Sequence, residues 1–306
     1  MEPDRRSPTG PMRKVLAFAL FAVLASQAIA SSADSSVALS RADAAWERRG
    51  DGRVAERARP EPIEEAIALY REALAAEPDR LEAQWKLQRA LWFAGDFATS
   101  NRAAERARYE DAIAAADSAL DVLASRAGGR AVLDQSSGEA LREALATADH
   151  DDAAHFYFWY AVNLGAWARQ AGLLQAVRAG AASRIHEATL RSIALDPAVE
   201  QGGALRLLSR LHAELPQVPF LSGWVDRAQA IPLAERVVVE YPTHPGNPFL
   251  LGLTLLERAP LRRAEALALL ERTAALEPRP DHVVEDTSMQ IAAKEELKKA
   301  RQMPAS

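Results

Sequence analysis

The chain has 306 residues, of which 26% are charged, with a formal net charge of −5 and no cysteine. A mildly acidic chain lacks the overall basic charge typical of proteins that bind nucleic acids or anionic lipids. The absence of cysteine excludes disulfide bonds, thiol chemistry, cysteine metal ligands and lipid attachment at an N-terminal cysteine. No stretch shows the period of a β-strand, so this length allows one large helical core.

The first 30 residues have the pattern of a secretory signal peptide. Arg13 and Lys14 precede an apolar run from Val15 to Leu24, and Ala28-Ile29-Ala30 provides a small-x-small cleavage site. The apolar run is short for a membrane span, although an uncleaved anchor is the alternative interpretation. We therefore predict a soluble protein exported to a bacterial periplasm.

Helical patterning begins near Val37 and is marked further on by prolines. Pro60-Glu61-Pro62 predicts a helix start, because proline suits the first turn and acidic side chains suit the positive end of the helix dipole. Small and aromatic residues at Ala66, Tyr70 and Ala73 then share one face, and Pro78 ends the helix.

This proline-ended helix recurs before Pro197, Pro242 and Pro278, the last two being 36 residues apart. A small residue, an aromatic four positions later and a terminal proline resemble the tetratricopeptide repeat, a helical hairpin of about 34 residues. The resemblance implies an all-α fold in which antiparallel helical hairpins stack into a superhelix, as a single elongated domain. The expected organisation is a signal peptide at residues 1–30, a disordered leader at 31–36, the helical-repeat domain at 37–300 and a disordered tail at 301–306.

The most unusual stretch is a predicted helix from His155 to Gly172 that contains six aromatic residues. At about 100° per residue, its small apolar residues lie on one face and its large aromatic and amide side chains on a neighbouring face. A helix needs only one apolar stripe to pack into a core. The second stripe therefore predicts another helix layer, a second subunit or a ligand.

A narrower resemblance comes from the order of elements that follows. Asn163-Leu164-Gly165 with Trp167 is followed by Gly202-Gly203 with Arg206. This order resembles the periplasmic tetratricopeptide component associated with TRAP transporters, over roughly residues 151–278. Known members are thought to engage the solute-binding protein of the transporter, and they associate as homotrimers. Several are lipoproteins, from which this chain departs by having no cysteine.

The concave face of a repeat stack predicts the candidate binding residues. Alignment of the helices on Leu87, Leu164 and Leu251 places large aromatic side chains on that face, with arginine and amide groups at its edges. Such a groove suits an amphipathic protein segment or an apolar organic acid. The candidate residues are Trp85, Arg89, Trp92, Trp159, Asn163, Trp167, Gln170, Arg206 and Phe249.

Each candidate also has a structural interpretation. Aromatic stripes at helical spacing are usually core. Asn163 is expected to satisfy helix ends or a polar group of a ligand. Arg206 is expected to pair with a nearby carboxylate more often than with a ligand.

No motif predicts an enzyme or a cofactor. Asp149-His150-Asp151-Asp152 with His155 contains metal-ligand types, but it is also an ordinary polar helix start. Phosphate loops, nucleophile elbows and dinucleotide fingerprints do not occur. The sequence therefore predicts a non-enzymatic binding or scaffold protein that serves a TRAP-type uptake system, with no cofactor or nucleic acid. The second hypothesis is a general envelope adaptor that binds other proteins, and the third is a hydrolase or other enzyme.

Overall fold

The computed structural model describes residues 31–219 and 221–302, and within them the fold is all-α, as predicted. The predicted signal peptide and residues 303–306 of the predicted tail lie outside the described residues. The first helix, α1, covers residues 31–47. The next five helices are α2 (Pro60–Ala76), α3 (Leu81–Phe93), α4 (Arg102–Arg126), α5 (Arg130–Gln135) and α6 (Glu139–Ala144). They are followed by α7 (His150–Ala171), α8 (Leu173–Arg178), α9 (Ala181–Leu195) and α10 (Gly203–Glu214). The last four are α11 (Ala230–Glu240), α12 (Gly246–Arg258), α13 (Arg263–Ala275) and α14 (Val283–Gln302).

Prolines set the ends of four helices, as the sequence predicts. α2, α9 and α11 each end two residues before a proline, at Pro78, Pro197 and Pro242, and α13 ends three residues before Pro278. Proline lacks the amide hydrogen that would continue the helix, and it restricts the residue before it to extended conformations. These breaks divide the chain into helices short enough to fold back on one another.

Neighbouring helices pack as pairs, and successive pairs are in contact. α2 packs on α3, α7 on α9, α10 on α11, and α12 on α13. A second set of contacts joins α3 to α7, α10 to α12, and α12 to α14. The helices of this second set surround the space in which the candidate site lies.

The apolar core is centred on α7. Phe156 and Tyr157 are almost completely buried there, within a cluster that includes Leu123 of α4 and Ile185 of α9. At about 25 cal/mol per Å² of apolar surface removed from water, full burial of one such ring stabilises the fold by roughly 1.5–3 kcal/mol. The aromatic stretch that stands out in the sequence is therefore first of all the packing centre of the fold.

Residues near the two ends of the described chain are in contact. Val284 of α14 packs in the same cluster as Leu39 of α1 and Ile63 of α2. The Arg49 guanidinium, only 3% exposed, donates to the Glu285 carboxylate at 2.9 Å and to the Asp281 carbonyl. α14 consequently closes over the space between the first helices and the last.

The described helices correct one expectation at the N-terminal side. Residues 31–36, expected as a disordered leader, are the beginning of α1. Ser35 is buried, and Arg80 donates to the Ser36 hydroxyl at 2.9 Å, which holds this end of α1 against the start of α3. Residues 301 and 302, expected in the tail, are the last residues of α14. No helix within residues 31–302 is both long and apolar enough to cross a bilayer.

Candidate functional site

A chamber of about 210 Å³ lies where α3, α7, α10, α12 and α14 face one another. Its wall has an apolar part and a polar part. The apolar side chains are those of Trp46, Trp92, Phe158, Trp159, Val162, Leu250 and Met289. The charged and imidazole side chains are those of Arg89, Glu200, Arg206, His244, Arg279, His282, Glu285 and Asp286.

Contacts between aromatic rings build the apolar wall. The rings of Trp92 on α3 and Trp159 on α7 have centroids 5.0 Å apart, and Phe158 meets Trp159 edge to face at 5.0 Å. Gly203 at the start of α10 lies against Phe158, and a Cβ at that glycine would come within 2.7 Å of the ring. The absence of a side chain at Gly203 therefore lets α10 approach the aromatic wall.

Arg89 adds a positive charge to this apolar side. Its guanidinium lies 3.9 Å from the ring centroid of Trp46 and 5.0 Å from that of Trp85, within the range of cation–π attraction. Its Nε is buried without a hydrogen-bond partner, and no carboxylate of the described residues lies within ion-pair distance. The aromatic faces thus hold a cation at the chamber wall that no acid neutralises at close range.

A left-handed turn shapes the opposite side. Glu200, Gln201 and Gly202 have φ angles of 49°, 51° and 79°, a conformation that non-glycine residues rarely adopt. Arg206, one turn into α10, donates to the carbonyls of Glu200 and Gln201 at 2.9 and 2.7 Å. Its guanidinium therefore stabilises a strained turn that places Glu200 in the chamber wall.

The structure places Arg206 differently from the expectation. It forms no ion pair with a carboxylate of the described residues, so the expected pairing is wrong; backbone carbonyls and Asn247 Oδ1, at 2.8 Å, accept its hydrogen bonds instead. Burial lowers the pKa of Arg206 to about 10, with the nearby Glu200 carboxylate acting in the opposite direction. The group stays charged, and two of its five N–H donors remain free of these bonds.

His244 is a neutral donor at the same side. The Gly246 amide donates to His244 Nδ1 at 3.0 Å, so the proton of the neutral ring is on Nε2. Burial first, and then the charges of Arg206 and Arg279 and the nearby His282, lower the pKa of His244 to about 2. The imidazole is therefore uncharged at any ordinary pH and offers an N–H group, not an acceptor.

Two of the three acids in the wall are already neutralised. Arg279 forms a two-point ion pair with Asp286, with both N–O distances at 2.8 Å, and Glu285 pairs with Arg49. The lining residues include three arginines and three acids, but Arg49, which lies outside the lining, neutralises Glu285, so the two arginines without ion pairs, Arg89 and Arg206, face one unpaired acid, Glu200. The chamber thus favours an anion over a cation.

The indole N–H of Trp159 is a further hydrogen-bond donor in the chamber wall. Trp159 is 6% exposed, and its Nε1 is buried with no hydrogen-bond partner among the described residues. A buried donor without an acceptor costs free energy, which a bound acceptor would recover. A ligand that carries oxygen acceptors would therefore satisfy the hydrogen-bond donors of the wall, which belong to Trp159, His244, Arg89 and Arg206.

The chamber brings together four of the nine candidate residues: Arg89, Trp92, Trp159 and Arg206. Trp85 and Asn163 are buried beside it between α3 and α7. The indole of Trp85 donates to Asp152 at 2.8 Å, and its ring stacks on His155. The Asn163 amide donates to the carbonyls of Gln88 and Trp159, so it joins the middles of two helices and not the helix ends that we expected.

The other three candidates do not line the chamber either. Trp167 is half-buried and donates to Glu110 at 3.3 Å, in contact with α4. Gln170, also half-buried, has a buried Oε1 without a partner. Phe249 is 9% exposed and packs with Leu270 and Leu297. Of the predicted residues, the chamber is lined by Arg89 and Trp92 on α3 and by Trp159 on α7, and on α12 Leu250 faces it in place of Phe249.

Sequence reasoning missed the wall residues from α1, α14 and the loop before α12. Trp46 and Met289 reach the same chamber wall because α14 packs against α1, and His244 reaches it from the loop before α12. No local pattern indicates such a contact. Arg279 lies in extended backbone before α14 and Asp286 in the first turns of that helix, so helical spacing gives no sign of their ion pair.

The acidic and histidine run at the start of α7 serves structural roles. Asp149 pairs with Arg126, Asp152 accepts from Trp85, and His150 Nε2 is within hydrogen-bond distance of the Arg142 and Leu145 carbonyls. Across residues 31–302 as described, no group of three or more such side chains could hold a metal ion.

Comparison with protein-family models and with curated proteins gives no relative for this chain. No protein-family model matches it, and no curated protein matches it either.

Proposed function

We propose that this chain is a helical-repeat binding protein that holds an apolar organic acid in the chamber between α3, α7 and α14. The observation that carries the proposal is the set of buried or half-buried donors without acceptors beside the rings of Trp92 and Trp159. A carboxylate head would accept from Arg89, Arg206 or the Trp159 indole, and an aliphatic or aromatic body would replace water against the rings.

The biological setting belongs to the same proposal. The signal-peptide pattern and the resemblance to the TRAP-associated component favour a periplasmic tetratricopeptide-type protein that assists uptake and engages a solute-binding protein. In that role the chamber would receive or hold the solute near the transporter. The absence of catalytic motifs supports binding instead of catalysis.

A titration with sodium octanoate, followed by tryptophan fluorescence, tests the chamber. We expect saturable binding, because Trp92 and Trp159 touch the proposed ligand position. Val162→Trp adds a large ring in the chamber wall and should weaken octanoate binding more than about tenfold, since it removes the space for the ligand. Val239→Trp, at an exposed position of α11, is the matched control and should bind as the parent does.

Two outcomes would contradict the assignment. If octanoate binding does not saturate, an apolar organic acid is not the ligand of this chamber. If the Val162→Trp and Val239→Trp variants bind octanoate equally, the binding site lies elsewhere. The uptake role has a separate test, which is crosslinking in a periplasmic extract of the source cells. Recovery of a solute-binding protein supports it; recovery of envelope assembly factors supports the adaptor alternative.

A further inference from the structure

A short helix projects from the end of the α7–α9 pair and exposes apolar side chains. α8 lies between Gly172 and Gly180, and we call residues 172–180 the α8 tip. None of the α8 residues is buried. Leu173 is 82% exposed, Leu174 63% and Val177 44%, so three large apolar side chains face solvent within five residues. A single exposed leucine is common in soluble proteins, but a group at a projecting position is not.

The surroundings of the α8 tip are basic. From Ala153 to His186 the chain contains no aspartate or glutamate, whereas Arg169 and Arg178 are exposed on either side of the exposed leucines. Neither arginine forms an ion pair with a described carboxylate. Arg169 interacts with Asp96, which is half-buried and accepts from Tyr109, and desolvation raises the pKa of this carboxyl.

Among the described neighbours, Asp117 of α4 is an exposed acid that interacts with Tyr160, and the other polar groups near the tip are paired or neutral. Gln175 of α8 accepts from Arg106 of α4 at 3.2 Å, and Arg106 itself is paired with Glu110. Arg184, at the start of α9, donates to the Tyr160 hydroxyl. Leu221, half exposed, lies beside this start, because its carbonyl accepts from Ser183 at 3.2 Å. The tip therefore combines apolar and positive character locally in a chain whose net charge is negative.

We propose that the α8 tip docks on the surface of a bilayer that contains anionic lipid. Leu173, Leu174 and Val177 would enter the boundary between headgroups and acyl chains, while Arg169 and Arg178 remain at the level of the phosphates. Because no residue of α8 is buried, all three apolar side chains are free to enter a soft lipid surface. Attraction of the arginines to anionic headgroups supplies the complementary charge.

The absence of native cysteine allows a local test. Leu174→Cys is labelled in the full chain with an environment-sensitive nitrobenzoxadiazole dye, and Leu261→Cys, a fully exposed leucine beside α13, is the matched control. With vesicles of phosphatidylcholine and phosphatidylglycerol, we expect the dye at 174 to shift to the blue and brighten, and the dye at 261 to stay unchanged. The blue shift and the increase in brightness of the dye at 174 should both be smaller with vesicles of phosphatidylcholine alone, where the headgroups carry no net charge, and at high salt, where the charge of the anionic headgroups is screened.

A second variant tests the charges. Arg178→Gln in the Leu174→Cys background should raise the vesicle concentration at half-maximal shift several-fold, about the effect of one arginine near an anionic surface. The proposal is overturned if the dye at 174 does not respond, if both positions respond equally, or if phosphatidylcholine alone gives the full shift. A shift that appears without vesicles and grows with protein concentration would assign the tip to contact between copies of the chain, and would also overturn it.

Discussion

The two sides of the chamber are built by different means. On the α3–α7 side, rings pack on rings, and the polar groups of Asn163 and Gln88 lie between the two helices. On the α10–α14 side, a left-handed turn, a carbonyl-bound arginine and two ion pairs form the wall. The first side arises from the period of a helix. The α10–α14 side requires residues far apart in the chain to come into contact, so the stability and the shape of this side depend on a few specific contacts.

Removal of the ion pair between Arg49 and Glu285 should have the largest effect on the free energy of unfolding. Arg49→Met leaves Glu285 without its partner and removes the cation–π contact with Trp46, at 4.1 Å. Because breaking a buried ion pair leaves a charge uncompensated, we expect a loss of about 3 kcal/mol in the free energy of unfolding. Arg48→Met is the matched control: its pair with Glu65 is half exposed, and it should cost less than about 1 kcal/mol. Equal losses in urea denaturation would show that α14 does not depend on this pair.

The left-handed turn should give the next largest effect. In Gly202→Ala, the new Cβ would lie 2.3 Å from Val237 Cγ1 at a φ of 79°, so strain and overpacking add. We expect a loss of about 2–3 kcal/mol in thermal or urea unfolding. Gly180→Ala has a similar positive φ, 62°, with nothing within 4 Å of the added Cβ, and should lose only about 1 kcal/mol. A Gly202→Ala variant no less stable than Gly180→Ala would contradict the close approach of α10 and α11.

Acid should weaken the polar side through His244. Its pKa is about 2 in the folded chain but near the ordinary value of 6.5 when unfolded, so the unfolded chain binds more protons below pH 6.5. Stability from this residue is present above pH 6.5 and is lost as the pH falls. Between pH 6.5 and 5.5 the loss should be about 1 kcal/mol, and His244→Asn should remove that part of the pH dependence. An unchanged slope of unfolding free energy against pH in the variant would show that this imidazole is not held neutral.

The same contrast explains what could be predicted from the sequence. Proline positions and the helix period predicted the all-α fold and the ends of α2, α9, α11 and α13, and they placed Trp92 and Trp159 on one face without indicating that the two rings meet. The period could not indicate that Arg49 meets Glu285, because nothing in either helix specifies its partner. Arg206 shows a further limit. Its residue type predicts an acidic partner, but its hydrogen bonds go to the backbone carbonyls of the left-handed turn at Glu200 and Gln201. Residues 31–36 look disordered by composition, but Arg80 and the neighbouring helix stabilise them.

The central claim is that the chamber selects an anionic head on an apolar body. Isothermal titration calorimetry of the unaltered chain with octanoate, 1-octanol and octylamine compares the affinities of three ligands that differ in the charge of the polar group on the same type of alkyl chain. The unpaired donors of Trp159, Arg89 and Arg206 predict saturable octanoate binding at least about tenfold tighter than octanol, with octylamine weakest. Octanol or octylamine binding as tightly as octanoate would contradict the claim.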